Sequence, residues 1–182
     1  MTTQTAVSTW AIDDVHSAAL FSVEYMAIAL FKGRFSGVAG SISLNEADPP
    51  KSSVNATIDV KSIDVKNERL YGHMMGDMFF DAEKFPQITF KSTKVEKVSD
   101  KRWKIGGDLS MHGVTRPVTL DTEYLGQGKH PFSGQIRAGF RAKTTINRDD
   151  WGLSWNAAMD TGAKYVGEKV EIALDIIAGK QE

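Results

Sequence analysis

Apolar side chains alternate with other residues along 103–111, and this period of two constrains the fold more than any other feature of the sequence. The large apolar side chains fall on every second position: Trp103, Ile105, Leu109 and Met111. Such a period is typical of a strand that turns one face toward an apolar interior. Gly107 takes the remaining position of that face. Turn-forming residues follow at 112–117 and the alternation resumes at Val118, so we predict an antiparallel hairpin.

The same alternation recurs along most of the chain. It is clearest in four further segments: 16–24, 52–61, 136–146 and 170–176. A slip of register predicts a bulge at 92–94. Residues 67–79 instead carry apolar side chains at helical spacing, and 27–31 is predicted as a short helical turn. About eight strands with one real helix indicate a mainly β fold, an extended eight-stranded antiparallel barrel or a sandwich.

Length and composition exclude several classes of function. At 182 residues with 41% hydrophobic and 25% charged residues, the chain is expected to form one soluble domain over 8–178, with a disordered tail at 1–7. A net charge of −1 favours neither nucleic acid nor an anionic membrane as a partner. The chain has no cysteine, which excludes disulfides and thiol catalysis. No segment reaches the length of a membrane-spanning helix.

The N-terminus predicts a location. It is polar and lacks the apolar segment of a signal peptide, so the protein is expected in the cytoplasm, or in the periplasm if a leader has been removed.

Small residues on the predicted inner faces suggest a cavity inside the barrel. Ala56, Gly107, Ala138 and Ala142 stand where a filled core would carry leucine, isoleucine or phenylalanine. The alternative is that bulky residues from the opposite wall fill the space. Likewise the methionines of 67–79 serve either as core filler or as an adaptable lining.

An ordered set of motifs resembles the YceI-like family. The motifs are residues 10–17 (Trp-Ala-Ile-Asp-Asp-Val-His-Ser), 21–23, 32–37 (Lys-Gly-Arg-Phe-Ser-Gly), 69–81, 85–90, 107–115, 146–153 (Ile-Asn-Arg-Asp-Asp-Trp-Gly-Leu) and 166–170. The resemblance implies an eight-stranded lipocalin-like barrel whose long apolar pore holds an isoprenoid chain, and a frequent homodimer. Many members carry a signal peptide and work in the periplasm, and we expect this chain to depart from them in that respect.

Two groups of residues are candidates for ligand contact on this interpretation. Polar residues in the family-like motifs are candidates for the lipid head group: His16, Ser17, Arg69, His73, Asp77 and Arg148. Apolar and small residues are candidates for the pore wall: Phe21, Val23, Phe35, Ala56, Ile58, Leu70, Met74, Met78, Phe90, Ile105, Gly107, Leu109, Ala138, Phe140, Ala142, Ile172 and Leu174. Arginine suits a phosphate, and histidine suits a phosphate or a quinone carbonyl.

Each polar candidate also has a structural explanation. His73 and Asp77 are four residues apart on the predicted helix and could stabilise only one another. Residues 148–150 are equally compatible with a surface turn, and His16 with Ser17 could cap the first hairpin.

Catalysis is the less favoured class. The four histidines are scattered without metal-binding spacing, and the sequence lacks a nucleophile elbow or a phosphate loop. We therefore predict a non-enzymatic carrier with no metal and no cofactor beyond the bound lipid. The alternatives are an enzyme that uses His73 and Asp77, or a ligand-free interaction module that exposes Phe79, Phe80 and residues 25–31.

Overall fold

The computed structural model describes residues 7–182 and contains eleven strands and one α-helix. The strands are β1 (Ser8–Ile12), β2 (Ala18–Tyr25), β3 (Ala29–Phe35), β4 (Val38–Leu44), β5 (Ser53–Asp59), β6 (Ile63–Asp64), β7 (Gln87–Lys97), β8 (Arg102–Met111), β9 (Val114–Lys129), β10 (Ile136–Asn147) and β11 (Val166–Lys180). The helix α1 spans Glu68–Met75. The predicted tail at 1–7 falls, except for Val7, outside the described residues.

These eleven strands form a closed antiparallel barrel of eight. The reason is that β1 with β2, β3 with β4, and β5 with β6 each act as one interrupted strand. Both β1 and β2 pair with β11, while β3 pairs with β2 and β4 pairs with β1. In the same way β5 pairs with β4 and β6 pairs with β3. The pairing of β1 with β11 closes the barrel. The predicted eight-stranded antiparallel barrel is confirmed.

The interruption between β1 and β2 is stabilised by a serine side chain. The Ser17 hydroxyl donates to the Ile177 carbonyl at 3.2 Å and accepts from the Ile177 N–H at 3.0 Å. The Asp13 N–H donates to the same carbonyl at 2.8 Å. Ser17 is buried and thus replaces the ladder hydrogen bonds that the chain loses where it leaves the sheet.

The helix is shorter than predicted. The side chain of Asn67 caps its start by accepting from the Leu70 N–H at 2.9 Å. Gly76 ends the helix after Met75, and the Phe80 N–H then donates to the Met74 carbonyl at 3.0 Å. The apolar residues that extended the predicted helix to position 79 therefore lie in turns. Among the described residues, no helix has both the length and the apolar character that crossing a membrane requires.

The helical turn predicted at 27–31 is wrong, because this segment is a β-hairpin between β2 and β3. Met26 and Ala27 take positive φ angles of 54° and 58° and reverse the chain. Strand β3 then begins at Ala29. The hairpin tip is apolar and exposed, with Ile28 at 82% and Leu30 at 60% exposure.

The hairpin of β8 and β9 has a tighter turn than the sequence predicted. His112 and Gly113 alone form it, with φ angles of 51° and 74°, as in a two-residue primed turn. Strand β9 begins at Val114 rather than at Val118, and residues 114–117 pair with β8. The predicted bulge between Ser92 and Lys94 is confirmed.

Gly107 makes room for a neighbouring ring rather than for the cavity, which corrects the sequence-based interpretation. A Cβ atom at this position would lie 2.5 Å from Cζ of Phe90 and 2.6 Å from the carbonyl oxygen of Lys91. Both distances are shorter than van der Waals contact. The phenyl ring of Phe90 on β7 therefore covers the space that the glycine leaves on β8.

Replacing Gly107 by alanine should destabilise the barrel by about 1–3 kcal/mol, because the backbone oxygen of Lys91 cannot move aside freely. Gly106→Ala is a matched control, since a Cβ there meets its nearest atom, in Lys94, at an ordinary 3.7 Å. Urea unfolding of both variants tests the expectation. Equal unfolding free energies for the two variants would show that Phe90 and Lys91 do not restrict position 107.

Candidate functional site

The barrel encloses a cavity of about 1280 Å³, which is larger than the roughly 300–1,000 Å³ of common small-molecule pockets. Its walls are mainly apolar and come from the barrel strands, from α1 and from the segment that joins β10 to β11. A long apolar space with few polar groups suits a chain-like ligand better than a compact polar one.

The structure places most of the predicted pore residues in the cavity wall. They are Phe21, Val23, Phe35, Ala56, Ile58, Leu70, Met74, Phe90, Ile105, Leu109, Ala138, Phe140, Ala142, Ile172 and Leu174. Met78 and Gly107 are absent from the wall and are corrections. Met78 lies in the turn after α1 with 61% of its surface exposed, because the helix ends before it.

Two of the predicted small positions occupy different surroundings. Ala142 on β10 lies between Thr122 of β9 and Leu174 of β11, and all three side chains line the cavity. Ala138 lies two inward positions away, with Phe140 between, and packs in a small cluster with Trp10 and Ala178. The bulky side chain of Trp10 therefore packs with Ala138, as the alternative interpretation held, although Ala138 also belongs to the cavity wall like Ala142.

Several wall residues were not among the predicted pore residues. They include Trp10, Ile12, Trp103, Met111, Tyr124, Ile146, Trp155 and Tyr165. The alternation along 103–111 already placed Trp103 and Met111 on the inner face. No comparable signal marks Trp155, which lies in the irregular segment before β11.

Nine aromatic rings form a continuous series at the end of the cavity next to α1. Neighbouring ring centroids are 4.7–6.2 Å apart along the order Tyr25, Tyr165, Trp155, His73, Phe79, Phe80, Phe35, Phe21 and Phe31. All nine line the cavity, and the series begins and ends on the β2–β3 hairpin. We call these residues the aromatic collar.

His73 contributes the one histidine ring of the aromatic collar, and one of its ring nitrogens lacks a hydrogen-bond partner. Its ring lies edge-on to Trp155 at 4.7 Å and 6.2 Å from Phe79. Its Nε2 atom is buried and has no hydrogen-bond partner within residues 7–182. By contrast, the hydroxyls of Tyr25 and Tyr165 are 2.8 Å apart and hydrogen-bond one another.

Arg148 lines the cavity, but its guanidinium group is already bound by the protein. Nε donates to the Gly167 carbonyl at 2.8 Å, Nη2 to Val166 at 3.2 Å, and Nη1 to Trp155 at 3.0 Å and to Leu153. Only 4% of the residue is exposed. Burial lowers the pKa of Arg148, and the negative charge of Asp149 raises it by less. Arg148 therefore anchors the segment over the barrel end, and residues 148–150 do not form the predicted surface turn.

The remaining head-group candidates divide between the rim and the outside of the barrel. Arg69 lines the cavity but is exposed at the rim. Asp77 is exposed outside the cavity, beyond the end of α1, so the predicted helical pair with His73 does not form on one helix. His16 and Ser17 also lie outside the cavity, at the joint between β1 and β2.

His16 belongs to a surface cluster around Asp13. The Asp13 carboxylate lies 2.9 Å from His16 Nδ1 and 2.7 Å from Arg137 Nη1, and accepts from the backbone N–H groups of Val15 and His16. Burial alone would raise the pKa of Asp13, but the hydrogen bonds from His16 and Val15 together lower it. The cluster fastens the loop between β1 and β2 to β10.

The lowered pKa of Asp13 predicts a pH dependence of stability. Because the folded-state pKa lies below the unfolded one, the carboxylate contributes stability above the unfolded pKa, and that contribution is lost as the pH falls through the folded pKa. The gap in unfolding free energy between the native protein and Asp13→Asn should therefore be largest near neutral pH and shrink in acid. Asp14→Asn, at an exposed neighbour, is the control. A gap that stays constant with pH would contradict the expectation.

The far end of the barrel carries the second apolar cluster and a polar rim. Trp10, Ala138 and Ala178 pack there with Ile42, Leu44, Tyr124 and Phe140. Exposed polar residues also line this end of the cavity: Glu46, Lys97, Asp100 and Gln127. Within the described part of the chain, no three histidine, aspartate or glutamate side chains are grouped closely enough to hold a metal ion.

Comparison with known proteins identifies the relatives of this barrel. A model of the YceI-like domain matches residues 10–178. A UPF0312 protein of Vibrio parahaemolyticus is 35% identical over 138 residues, which is 76% of this chain and 72% of that protein.

Two solved structures share the fold. The crystal structure of BcnA from Burkholderia cenocepacia superposes with a TM-score of 0.79 at 22% identity, covering 91% of this chain and 98% of BcnA. A polyisoprenoid binding domain from Saccharophagus degradans, implicated in plant cell wall breakdown, superposes with a TM-score of 0.68 at 15% identity, covering 94% and 98%.

Proposed function

We propose that this chain, which belongs to the YceI-like family, binds an isoprenoid lipid in its barrel cavity and sequesters or transports it without catalysing a reaction. The observation that carries the proposal is the apolar cavity of about 1280 Å³ that extends from the aromatic collar to the Trp10 cluster. The name of the Saccharophagus degradans domain, which shares this fold, suggests the ligand class.

The energetics favour a long chain. Each methylene buried in the cavity contributes about 0.8 kcal/mol, so ten contribute roughly 8 kcal/mol and twenty roughly 16 kcal/mol. Association itself costs about 4–15 kcal/mol. A ligand that fills only part of the cavity therefore gains little net affinity, whereas one that spans it binds well.

The proposal assigns no catalytic role to His73 and Asp77. An enzyme that used this pair as general acid and base would need both groups within hydrogen-bond reach of the reacting atoms. His73 lies in the cavity wall, whereas Asp77 is exposed outside it. The polar groups of Arg148, Tyr25 and Tyr165 are held by protein partners, which suits a container better than a reaction site.

Tryptophan fluorescence provides the test. Trp10, Trp103 and Trp155 line the cavity, so a bound isoprenoid quinone should quench their emission, because quinone rings quench tryptophan on close approach. We expect saturable quenching on titration with a long-chain isoprenoid quinone. The same quinone head group without its prenyl chain is the control and should not saturate.

Two results would contradict the proposal. The first is an absence of saturable quenching with any isoprenoid, which would favour a ligand-free interaction module. The second is equal affinity for the quinone with and without its chain, because the binding energy would then not come from the apolar wall.

A further inference from the structure

The turn between β2 and β3 carries apolar side chains where its backbone favours other residues. Met26 and Ala27 hold positive φ angles of 54° and 58°. A residue with a Cβ atom adopts this region at a cost, whereas glycine, asparagine and aspartate suit it. The turns from β4 to β5, β7 to β8, β8 to β9 and β9 to β10 each include glycine, proline, serine or aspartate. A strained apolar turn points to a role other than chain reversal.

The end of this hairpin is uncharged and exposed to solvent. Residues 25–31 contain no charged side chain, and 27–30 are all exposed. Ile28 and Leu30 contribute most of this apolar surface. We call residues 26–30 the hairpin tip. Exposed apolar surface of this kind marks a contact with a protein or a membrane.

The hairpin tip stands beside a mouth of the cavity. Tyr25 and Phe31 flank it on β2 and β3, and both belong to the aromatic collar. Three residues at this end line the cavity and are exposed as well: Tyr25, Asn67 and Arg69. The cavity therefore meets solvent between the hairpin and the start of α1, and a ligand that leaves there passes the hairpin tip.

From this placement we infer that the hairpin tip inserts into the surface of a zwitterionic phospholipid bilayer and turns the collar mouth toward the membrane. The inference rests on the proposed function in one respect, since the molecule that exchanges through this mouth is the lipid held in the cavity. The contact itself involves only the hairpin tip and can be measured without that lipid.

The size of the hairpin tip favours a bilayer over a protein partner. A stable protein interface takes roughly 20–30 residues from each side, whereas the hairpin tip consists of residues 26–30. A bilayer needs only a few apolar side chains, and the binding is then weak and reversible, as it is for a single acyl anchor. Reversible contact suits a carrier that has to leave the membrane again.

The charges around the hairpin tip favour a zwitterionic surface. Glu24 on β2 and Lys32 on β3 have opposite signs, and Arg34 Nε lies 3.5 Å from the carboxylate of Asp64. Because these charges balance, nothing here attracts an anionic surface in particular. The ring hydroxyls of Tyr25 and Tyr165 lie at the base of the hairpin, and tyrosine is enriched at the headgroup level of membranes.

Flotation with phosphatidylcholine vesicles tests the contact. Ile28→Asp places a charge at the hairpin tip, and we expect it to weaken vesicle binding about tenfold or more. Phe132→Asp is the matched control, because Phe132 is 93% exposed but lies in the turn between β9 and β10 at the far end of the barrel. That variant should float like the native protein. Binding by the native protein should also persist at high salt.

A second variant separates the contact from folding. Met26→Asn combined with Ala27→Gly gives the turn residues that its positive φ angles favour. We expect the free energy of unfolding to rise while vesicle binding weakens several-fold. A loss of binding in a more stable protein cannot come from unfolding.

Four results would overturn the inference. They are an equal loss in Phe132→Asp, native binding by the double variant, binding that disappears at high salt, and a native protein that takes up isoprenoid quinone but does not float with the vesicles. The last result leaves the proposed function intact. A protein that floats but takes up no quinone would instead overturn the proposed function and leave the membrane contact standing.

Discussion

Replacing Ala142 by phenylalanine is expected to abolish most lipid uptake while the protein stays folded. The alanine is buried on β10 and borders the cavity between Thr122 and Leu174. A phenyl ring there enters open space, so it displaces ligand rather than core atoms. Excluding only three methylenes of the chain removes about 2.4 kcal/mol, which is roughly fiftyfold in affinity. Quinone titration by tryptophan quenching measures the loss.

Thr145→Phe supplies the matched control. Thr145 lies three residues after Ala142 on β10 and is exposed on the outer face of the barrel. The same ring added there should leave lipid affinity unchanged. If Ala142→Phe binds the quinone as tightly as Thr145→Phe, the lipid does not occupy the middle of the barrel.

Replacing Arg148 by methionine is expected to lower the free energy of unfolding by at least about 3 kcal/mol. The substitution keeps the aliphatic stem but removes the donors to four backbone carbonyls. The Val166 carbonyl keeps Asn156 as a donor at 2.7 Å, so the cost of about 1–3 kcal/mol for each unpaired acceptor falls on the other three. Relief of the buried positive charge offsets part of this cost. Urea denaturation gives the value, and limited proteolysis between residues 153 and 165 shows whether that segment has come loose.

Arg116→Met is the comparison for this substitution. Arg116 is exposed and its Nε atom donates to one carbonyl, that of Asp150, at 3.3 Å. Its loss should change stability by no more than about 0.5 kcal/mol. Similar losses of unfolding free energy in the two variants would mean that the buried hydrogen bonds of Arg148 stabilise the fold no more than the single exposed one of Arg116.

Alternation along the chain predicted the barrel and most of its inner wall for a simple physical reason. Successive side chains of a strand point to opposite faces, so one apolar register identifies the inward residues without any knowledge of their partners. Phe140, Ile172 and Leu174 were found in this way, and the bulge at Ser92 was visible as a slip in the same register.

The same pattern could not show what lies opposite a residue. Gly107 is on the predicted face, yet the ring that covers it belongs to Phe90 on the neighbouring strand. The aromatic collar likewise joins residues from Phe21 to Tyr165, which only the barrel topology brings together.

Motif membership could not separate ligand contacts from structural ones. Ser17 bonds the backbone of Ile177, 160 residues away in the chain, and Arg148 bonds carbonyls of a segment without regular structure. These partners are backbone atoms, which carry no sequence signal. His73 differs from Ser17 by lining the cavity and from Arg148 by a ring nitrogen without a hydrogen-bond partner, and only the three-dimensional contacts reveal either difference.

Native mass spectrometry of freshly purified protein tests the central claim most directly. The account predicts a species heavier than the polypeptide by the mass of one isoprenoid lipid, which organic solvent releases and which Ala142→Phe lacks. A bare polypeptide mass, unchanged after incubation with a long-chain isoprenoid quinone, would contradict it.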